Sequence, residues 1–166
     1  MDYTCHYDSP LGGLTLAGDG TVLTGLWFDR QPVSAGMLPA GDTDPDGPVF
    51  EQTRRWLDLY FSGRDPGFTP PLLLRGTAFR RAVWDVLLTI PRGRTMTYGE
   101  IAEQIAVQTG VPRMSAQAVG GAVGHTPVLL IVPCHRVIGS GGSLTGYAGG
   151  IENKKKLLQL EQEGIR

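Results

Sequence analysis

A thiol and an imidazole stand side by side in Ile131-Val132-Pro133-Cys134-His135-Arg136-Val137, at the end of an apolar run. An imidazole able to take the thiol proton lowers the thiol pKa from about 8.5 and makes a thiolate nucleophile. Alternation along a regular strand would turn Cys134 and His135 to opposite faces. Their pairing therefore needs a bend, and Pro133 is placed to provide one. The same residues also read as a small buried cysteine closing an apolar strand. Metal ligation fits less well, because tetrahedral zinc takes four ligands and only the distant His125 joins Cys134 and His135 in this region. The other cysteine, Cys5, lies far away, and two cysteines without an export signal read as thiols rather than as a disulfide framework.

Several helices and strands must position this segment. Thr77 caps a helix with Phe79, Val83, Leu87 and Ile90 on one face, ended by Pro91-Arg92-Gly93. Thr97 and Glu100 form a capping box that opens a helix burying Ile101 and Ile105. Ser115 caps a third helix, residues 116 to 123, built from Ala, Gly and Val around one long polar side chain, Gln117. Gly120 and Gly121 each cost a helix roughly 1 kcal/mol relative to Ala, so either the protein's own core or an outside backbone must come close there. The pair of helices resembles a helix-turn-helix. Residues 127 to 132 read as an apolar strand, 137 to 147 as a glycine-rich wing, and 151 to 163 as a helix with Leu157, Leu158 and Leu160 inward.

The first half reads differently. Tyr3 to Tyr7, Leu14 to Leu16 and Val22 to Phe28 form a β-meander with turn residues between the runs. Residues 31 to 48 are rich in Pro, Gly and Asp and read as a loop. Thr53, Trp56, Leu57 and Tyr60 then mark an amphipathic helix that stops near Gly63 and packs on the meander, and residues 64 to 71 form a linker. At 166 residues and 17.9 kDa the chain suits one mid-sized domain or two small ones. Apolar residues at 41% against 19% charged place it among folding chains rather than disordered ones. No run is long enough for a membrane helix and no signal peptide is visible, which predicts a cytoplasmic protein without a membrane partner. Residues 1 to 75 carry 5 Lys and Arg against 10 Asp and Glu, whereas residues 76 to 166 carry 10 against 6. A basic half beside an acidic one is the pattern of a polyanion-binding module on a supporting domain.

The Pro-Cys-His-Arg-Val segment, followed by Gly146-Tyr147-Ala148-Gly149-Gly150, resembles the active-site signature of the O6-alkylguanine-DNA alkyltransferases. Gly76-Thr77-Ala78-Phe79, Val83-Trp84, Ile90-Pro91, Gly93, Thr97-Tyr98-Gly99-Glu100-Ile101-Ala102, Ala118-Val119-Gly120 and Ile131-Val132 extend the likeness in the same order. Asp8-Ser9-Pro10-Leu11-Gly12 is similar to the start of bacterial members.

The resemblance implies a mixed α+β fold. A small ribonuclease-H-like β-sheet domain spans 1–75, and a mostly helical, winged helix-turn-helix-like domain spans 76–166. It further implies a monomer that binds double-stranded DNA containing O6-alkylguanine through the minor groove, with the target base flipped out of the stack. The cysteine of this family keeps the alkyl group irreversibly, so each molecule reacts once and needs no cofactor. O4-alkylthymine is a candidate second lesion. Residue by residue, Cys134 matches the nucleophile, and His135 the residue that removes its proton through water. Glu161 matches the carboxylate orienting that histidine, and Tyr98 the tyrosine that turns the target phosphate and assists departure of guanine O6. Tyr147, Val137, Ala148 and Gly149 match the pocket for the guanine. Thr97, Ser115, Gln117, Ala118 and Gly120 fall in the DNA-binding surface, and Arg136 and Thr126 match structural positions.

The chain departs from the family at two of these places. Gln117 stands where most members have an arginine that fills the space left by the flipped nucleotide, which trades a cation for an amide and predicts weaker flipping or affinity. Thr126 stands where a hinge asparagine is common, which predicts a less rigid turn. The interval from Ala102 to Ala116 is also longer than in relatives. Animal members can carry zinc on two cysteines and two histidines of the first domain, but only Cys5 and His6 occur there, so no metal is expected. Two other functions compete with repair: an alkyltransferase-like offshoot with a different electrophilic substrate, and a lesion-sensing DNA-binding protein without chemistry.

Overall fold

The computed structural model describes residues 3–30, 47–144 and 146–163. The loop expected at 31 to 48 therefore lies almost wholly outside the described residues. The fold is mixed α+β, with a small antiparallel sheet in the first part of the chain and mostly helices after it.

Strands β1 (Tyr3–Ser9), β2 (Gly12–Gly18) and β3 (Leu23–Phe28) form an antiparallel meander in the order β1-β2-β3. Alternation puts Leu14 and Leu16 fully inside. Helix α1 (Pro48–Phe61) starts with proline in its first turn, where a missing N–H costs nothing. It buries Val49, Phe50, Thr53, Trp56, Leu57 and Tyr60. The free edge of β3 is covered by two short extended pieces. Leu23 N–H donates to Pro71 O at 2.8 Å, and Leu129 N–H donates to Leu26 O at 2.9 Å. Two compact units result: the described residues up to Arg75 with Pro127–Leu129 and Glu163, and then Gly76–Thr126 with Leu130–Gln162.

The second unit contains α2 (Ala78–Leu87), a two-residue strand β4 (Met96–Thr97), α3 (Tyr98–Thr109), α4 (Ala116–Gly124), β5 (Val137–Ile138) and most of α5 (Ile151–Glu163). The caps are local chemistry. Thr77 accepts from Arg80 N–H at 3.1 Å, and Ser115 accepts from Ala118 N–H at 3.2 Å. Thr97 and Glu100 exchange both bonds of a capping box, at 2.9 and 3.0 Å. Helix α3 ends at Gly110, whose φ of 73° is a left-handed cap that glycine adopts without strain. The indole of Trp84 ties α2 to α4 by donating to Ala122 O at 2.9 Å.

Two expectations are corrected. Residues 127 to 132 do not form a strand: Val128 makes one isolated bridge, and the chain then turns through Leu130 at φ 68°. A short run of buried apolar residues has no periodicity that separates a strand from a packed, irregular crossing. On α5, Leu157 is buried as expected, but Leu158 and Leu160 are only half-buried, and Lys154 and Glu161 are completely buried. Positions 154, 157 and 161 share one helical face, and two of its three side chains are charged, so an apolar pattern could not reveal it.

Candidate active site

The bend beside Cys134 is an inverse γ-turn. Pro133 sits at φ −81°, ψ 62°, and Cys134 N–H donates to Val132 O at 2.8 Å. Proline's fixed φ suits that centre. A single 3-10 turn, Cys134–Arg136, follows, and β5 then pairs in parallel with β4, Met96 opposite Val137 and Thr97 opposite Ile138. That pairing brings the start of α3, and with it Tyr98, beside the cysteine turn. Cys134 lines a cavity of about 360 Å³ although its surface is only 2% exposed. Tyr98, Gly120 and Val123 form part of the wall, and Tyr147 and Ala148 another part. Tyr147 also meets the His135 ring edge-on, with ring centroids 6.3 Å apart.

Behind the thiol lies a buried charged cluster. His135 Nε2 meets Glu161 Oε2 at 2.5 Å. Arg136 donates through Nε to Glu161 Oε1 at 2.8 Å and through Nη2 to Oε2 at 3.1 Å, and its Nη1 donates to Ile90 O at 2.6 Å. Burial alone would raise the Glu161 carboxyl, but His135 and Arg136 outweigh it and hold the group well below the usual carboxylate range. Glu161 is therefore an acceptor only, which makes Nε2 of His135 the donor and leaves the ring's lone pair on Nδ1. Burial pulls the His135 pKa down against the opposing pull of Glu161, so the ring is a neutral base at rest.

The thiol itself departs from expectation. A thiol lowered by the neighbouring imidazole is the sequence expectation; burial instead pushes Cys134 up to about 12. The Thr126 hydroxyl, the Lys154 ammonium and the backbone N–H groups of Cys134 and His135 offset that only in part. Taking an anion out of water costs more than these dipoles return before substrate is present. Cys134 at rest is thus a protonated thiol.

Lys154 was missed by sequence reasoning. Its Nζ donates to Val137 O at 2.5 Å from a fully buried position, and burial pulls its pKa down while a Cys134 thiolate would raise it. Lys154 opens the run Lys154-Lys155-Lys156, which reads as a solvated basic face. The signal that could have found it is its three-residue spacing from Leu157 on the face that also bears Glu161.

The remaining predicted residues take three places. Val137 is fully buried and lies outside the cavity lining, its carbonyl engaged by Lys154, and Gly149 also lies outside the lining, accepting from Asn153 Nδ2 at 2.9 Å. Ser115, Gln117 and Ala118 are exposed on α4, and Gly120 is half-buried. A Cβ on Gly120 would stand 3.8 Å from the Tyr98 ring, an ordinary contact, and one on Gly121 or Gly124 would meet nothing within 4 Å. Tight packing inside the protein therefore does not account for this glycine-rich helix. Thr126 is buried and closes its turn, its Oγ1 donating to Val123 O at 2.7 Å and its N–H to the same oxygen at 3.2 Å. Among the described residues, no group of three or more His, Cys, Asp or Glu side chains could hold a metal ion, and no helix is long and apolar enough to cross a membrane.

Comparison with known proteins agrees with this geometry. Residues 3–74 match the family model for the ribonuclease-like domain of 6-O-methylguanine DNA methyltransferase, and residues 78–163 match the model for its DNA binding domain. The methylated-DNA--protein-cysteine methyltransferase of Mycobacterium bovis is 49% identical over 160 residues, 95% of this chain and 92% of its own. The crystal structure of Mycobacterium tuberculosis O6-methylguanine methyltransferase superposes with a TM-score of 0.87 at 46% identity, covering 100% of this chain and 96% of that one. The structure of Mycobacterium tuberculosis OGT in complex with DNA gives 0.83 at 47% identity, covering 98% and 93%. With both halves matched and nearly half of all residues identical to a named relative, the chain belongs to the 6-O-methylguanine DNA methyltransferase family.

Proposed function

We propose that this protein repairs duplex DNA by moving an alkyl group from guanine O6 onto the sulfur of its own Cys134, once per molecule. The observation that carries the reading is a cysteine lining a cavity of about 360 Å³, backed by a buried His135–Glu161 pair. That volume lies in the range of small-molecule sites and suits a single extruded base. The cavity wall next to Cys134 includes Gly120, Val123 and Gly124 of α4, so the helix expected to meet DNA also borders the pocket that would receive the base.

In the reaction the Cys134 S–C bond forms as the C–O6 bond breaks, and the bond's electron pair leaves with guanine. The thiol proton passes to Nδ1 of His135, whose positive charge Glu161 and its bond to Nε2 stabilise. Lys154 and the two backbone N–H groups stabilise the sulfur as its negative charge grows. Tyr98 gives guanine O6 the proton it needs and is repaid by the one held on His135, so the net change is one thiol proton exchanged for one alkyl group. Glu161 and Arg136 act as positioning residues. Residues 76–166 supply DNA binding and chemistry, residues 1–75 support them, and the protein works as a monomer in the cytoplasm.

Intact mass after incubation with a duplex bearing one O6-methylguanine tests the reading. The expected result is a single methyl in place of the thiol hydrogen, located on the Cys134 peptide, and no change in Cys134→Ser. Unmodified wild-type protein, or methyl on Cys5, overturns it.

A further inference from the structure

From its cap Ser115 to Gly124, α4 carries no Lys, Arg, Asp or Glu. The first side chain along it that can hold a charge is His125, the residue that closes the helix. Gln117, Gly121 and His125 are all exposed and, spaced by four, share one side of the helix, whereas Val119, Ala122 and Val123 are buried on the other. A Cβ on Gly121 would meet nothing within 4 Å among the described residues, so an outside backbone can lie between the two longer side chains. His125 Nδ1 lies 2.7 Å from Gly121 O. A carbonyl only accepts, so Nδ1 carries the ring's hydrogen. Nε2 then holds a lone pair, or a second hydrogen once the ring is protonated. The C-terminal end of a helix bears partial negative charge, which repels phosphate and favours a cation. A protonated His125 offsets that charge and has an N–H left for an acceptor outside the protein.

We infer that His125 is a DNA-backbone contact of α4, its ring taking a proton from solvent as DNA binds and donating from Nε2 to a phosphate oxygen while Nδ1–H stays on Gly121 O. The inference rests on the reading that this helix meets DNA, and it deepens that reading. The charge that Gln117 lacks in the first turn is supplied at the far end of the same face, about 12 Å along the axis. The elements packed against α4 are α2, with Arg80, Arg81 and Asp85, and α3, with Tyr98, Glu100 and Glu103. Among the described residues none of these makes an ion pair or hydrogen bond with the His125 ring, whose partner is Gly121 O. Phosphate is therefore the anion that would favour the protonated ring.

The test is binding of a short unmodified duplex, read by fluorescence anisotropy over a range of salt concentrations, at about pH 6 and about pH 8, either side of the range in which an imidazole gains its charge. It compares wild type with His125→Asn and His125→Lys. Asparagine keeps an amide N–H for Gly121 O and has no atom in place of Nε2, whereas lysine is charged at both pH values. Wild type should bind about three- to tenfold more tightly at the lower pH, with a salt slope steeper by about one phosphate contact. Asparagine should lose both the pH difference and the extra slope, and lysine should bind at both pH values as wild type does at the lower one. Equal pH dependence in wild type and His125→Asn overturns the inference. So does an equal loss in His125→Asn and His125→Lys, which would trace the effect to the shape of the helix end. If wild type binds no duplex at either pH, the DNA reading itself falls and this contact with it. Because the duplex carries no lesion, failure here is separate from failure of Cys134 to take an alkyl group.

Discussion

Cys5 and Cys134 are both buried, at 6% and 2% exposure, and burial is the largest influence on each thiol, raising both. Their surroundings differ in kind. Cys5 lies within β1 opposite Leu16, with Arg54 of α1 against its sulfur. Arg54 can stabilise an anion but cannot take a proton, because a guanidinium is always charged. Cys134 stands at a cavity, next to a neutral imidazole, and the Lys154 ammonium and two backbone N–H groups act against the effect of its burial. Desolvation alone makes an inert thiol. A nucleophile needs, in addition, an opening for the electrophile and a destination for the proton.

The largest test of that contrast is Cys134→Ser, which should abolish alkyl transfer from methylated duplex, since a hydroxyl lacks the acidity and softness of a thiol. The fold should survive with a stability change of about 1 kcal/mol, measured by denaturant unfolding. Next is Glu161→Gln, which leaves Arg136 buried without its anion and should cost about 3–5 kcal/mol.

The same substitution changes acid stability. The folded Glu161 carboxyl is depressed, so its contribution is present above the ordinary carboxylate range and is lost as pH falls toward its folded value. His135, also depressed when folded, adds stability that fades as pH drops below about 6.5, because only the unfolded chain then readily binds the proton. Wild type should therefore lose stability continuously on acidification from neutral pH. Glu161→Gln should show a much smaller loss below about pH 4.

Lys154→Met keeps a long unbranched chain while removing the ammonium beside the sulfur. Transfer from the free base O6-benzylguanine should slow about tenfold, whereas the equivalent removal of charge at Cys5, Arg54→Met, should leave that rate unchanged. A smaller effect is expected for Gln117→Arg on the exposed face of α4. It should speed duplex repair several-fold and steepen the salt dependence of DNA binding by about one phosphate contact, with no effect on the free base. An equal change with both substrates would place residue 117 in the chemical step rather than in DNA engagement. Cys5→Ser should change neither rate.

Local interactions were legible in the residues themselves. Thr77, Thr97 with Glu100, and Ser115 announce helix starts because a cap is made within four residues, and the meander and α1 follow from alternation and helical spacing. The Pro-Cys-His-Arg-Val segment together with the ordered series of like residues from Gly76 to Gly150 indicated the family. What spacing along the chain could not reveal is what burial does to charge. Lys154 is read as part of a basic surface run until α5 is docked, and Glu161 is reached only through the family resemblance, because nothing in a polar side chain announces a partner 17 or 25 residues away. The protonated state of Cys134 is likewise decided by tertiary structure, since desolvation depends on everything packed around the sulfur and outweighs the Lys154 charge and the backbone N–H groups that act against it.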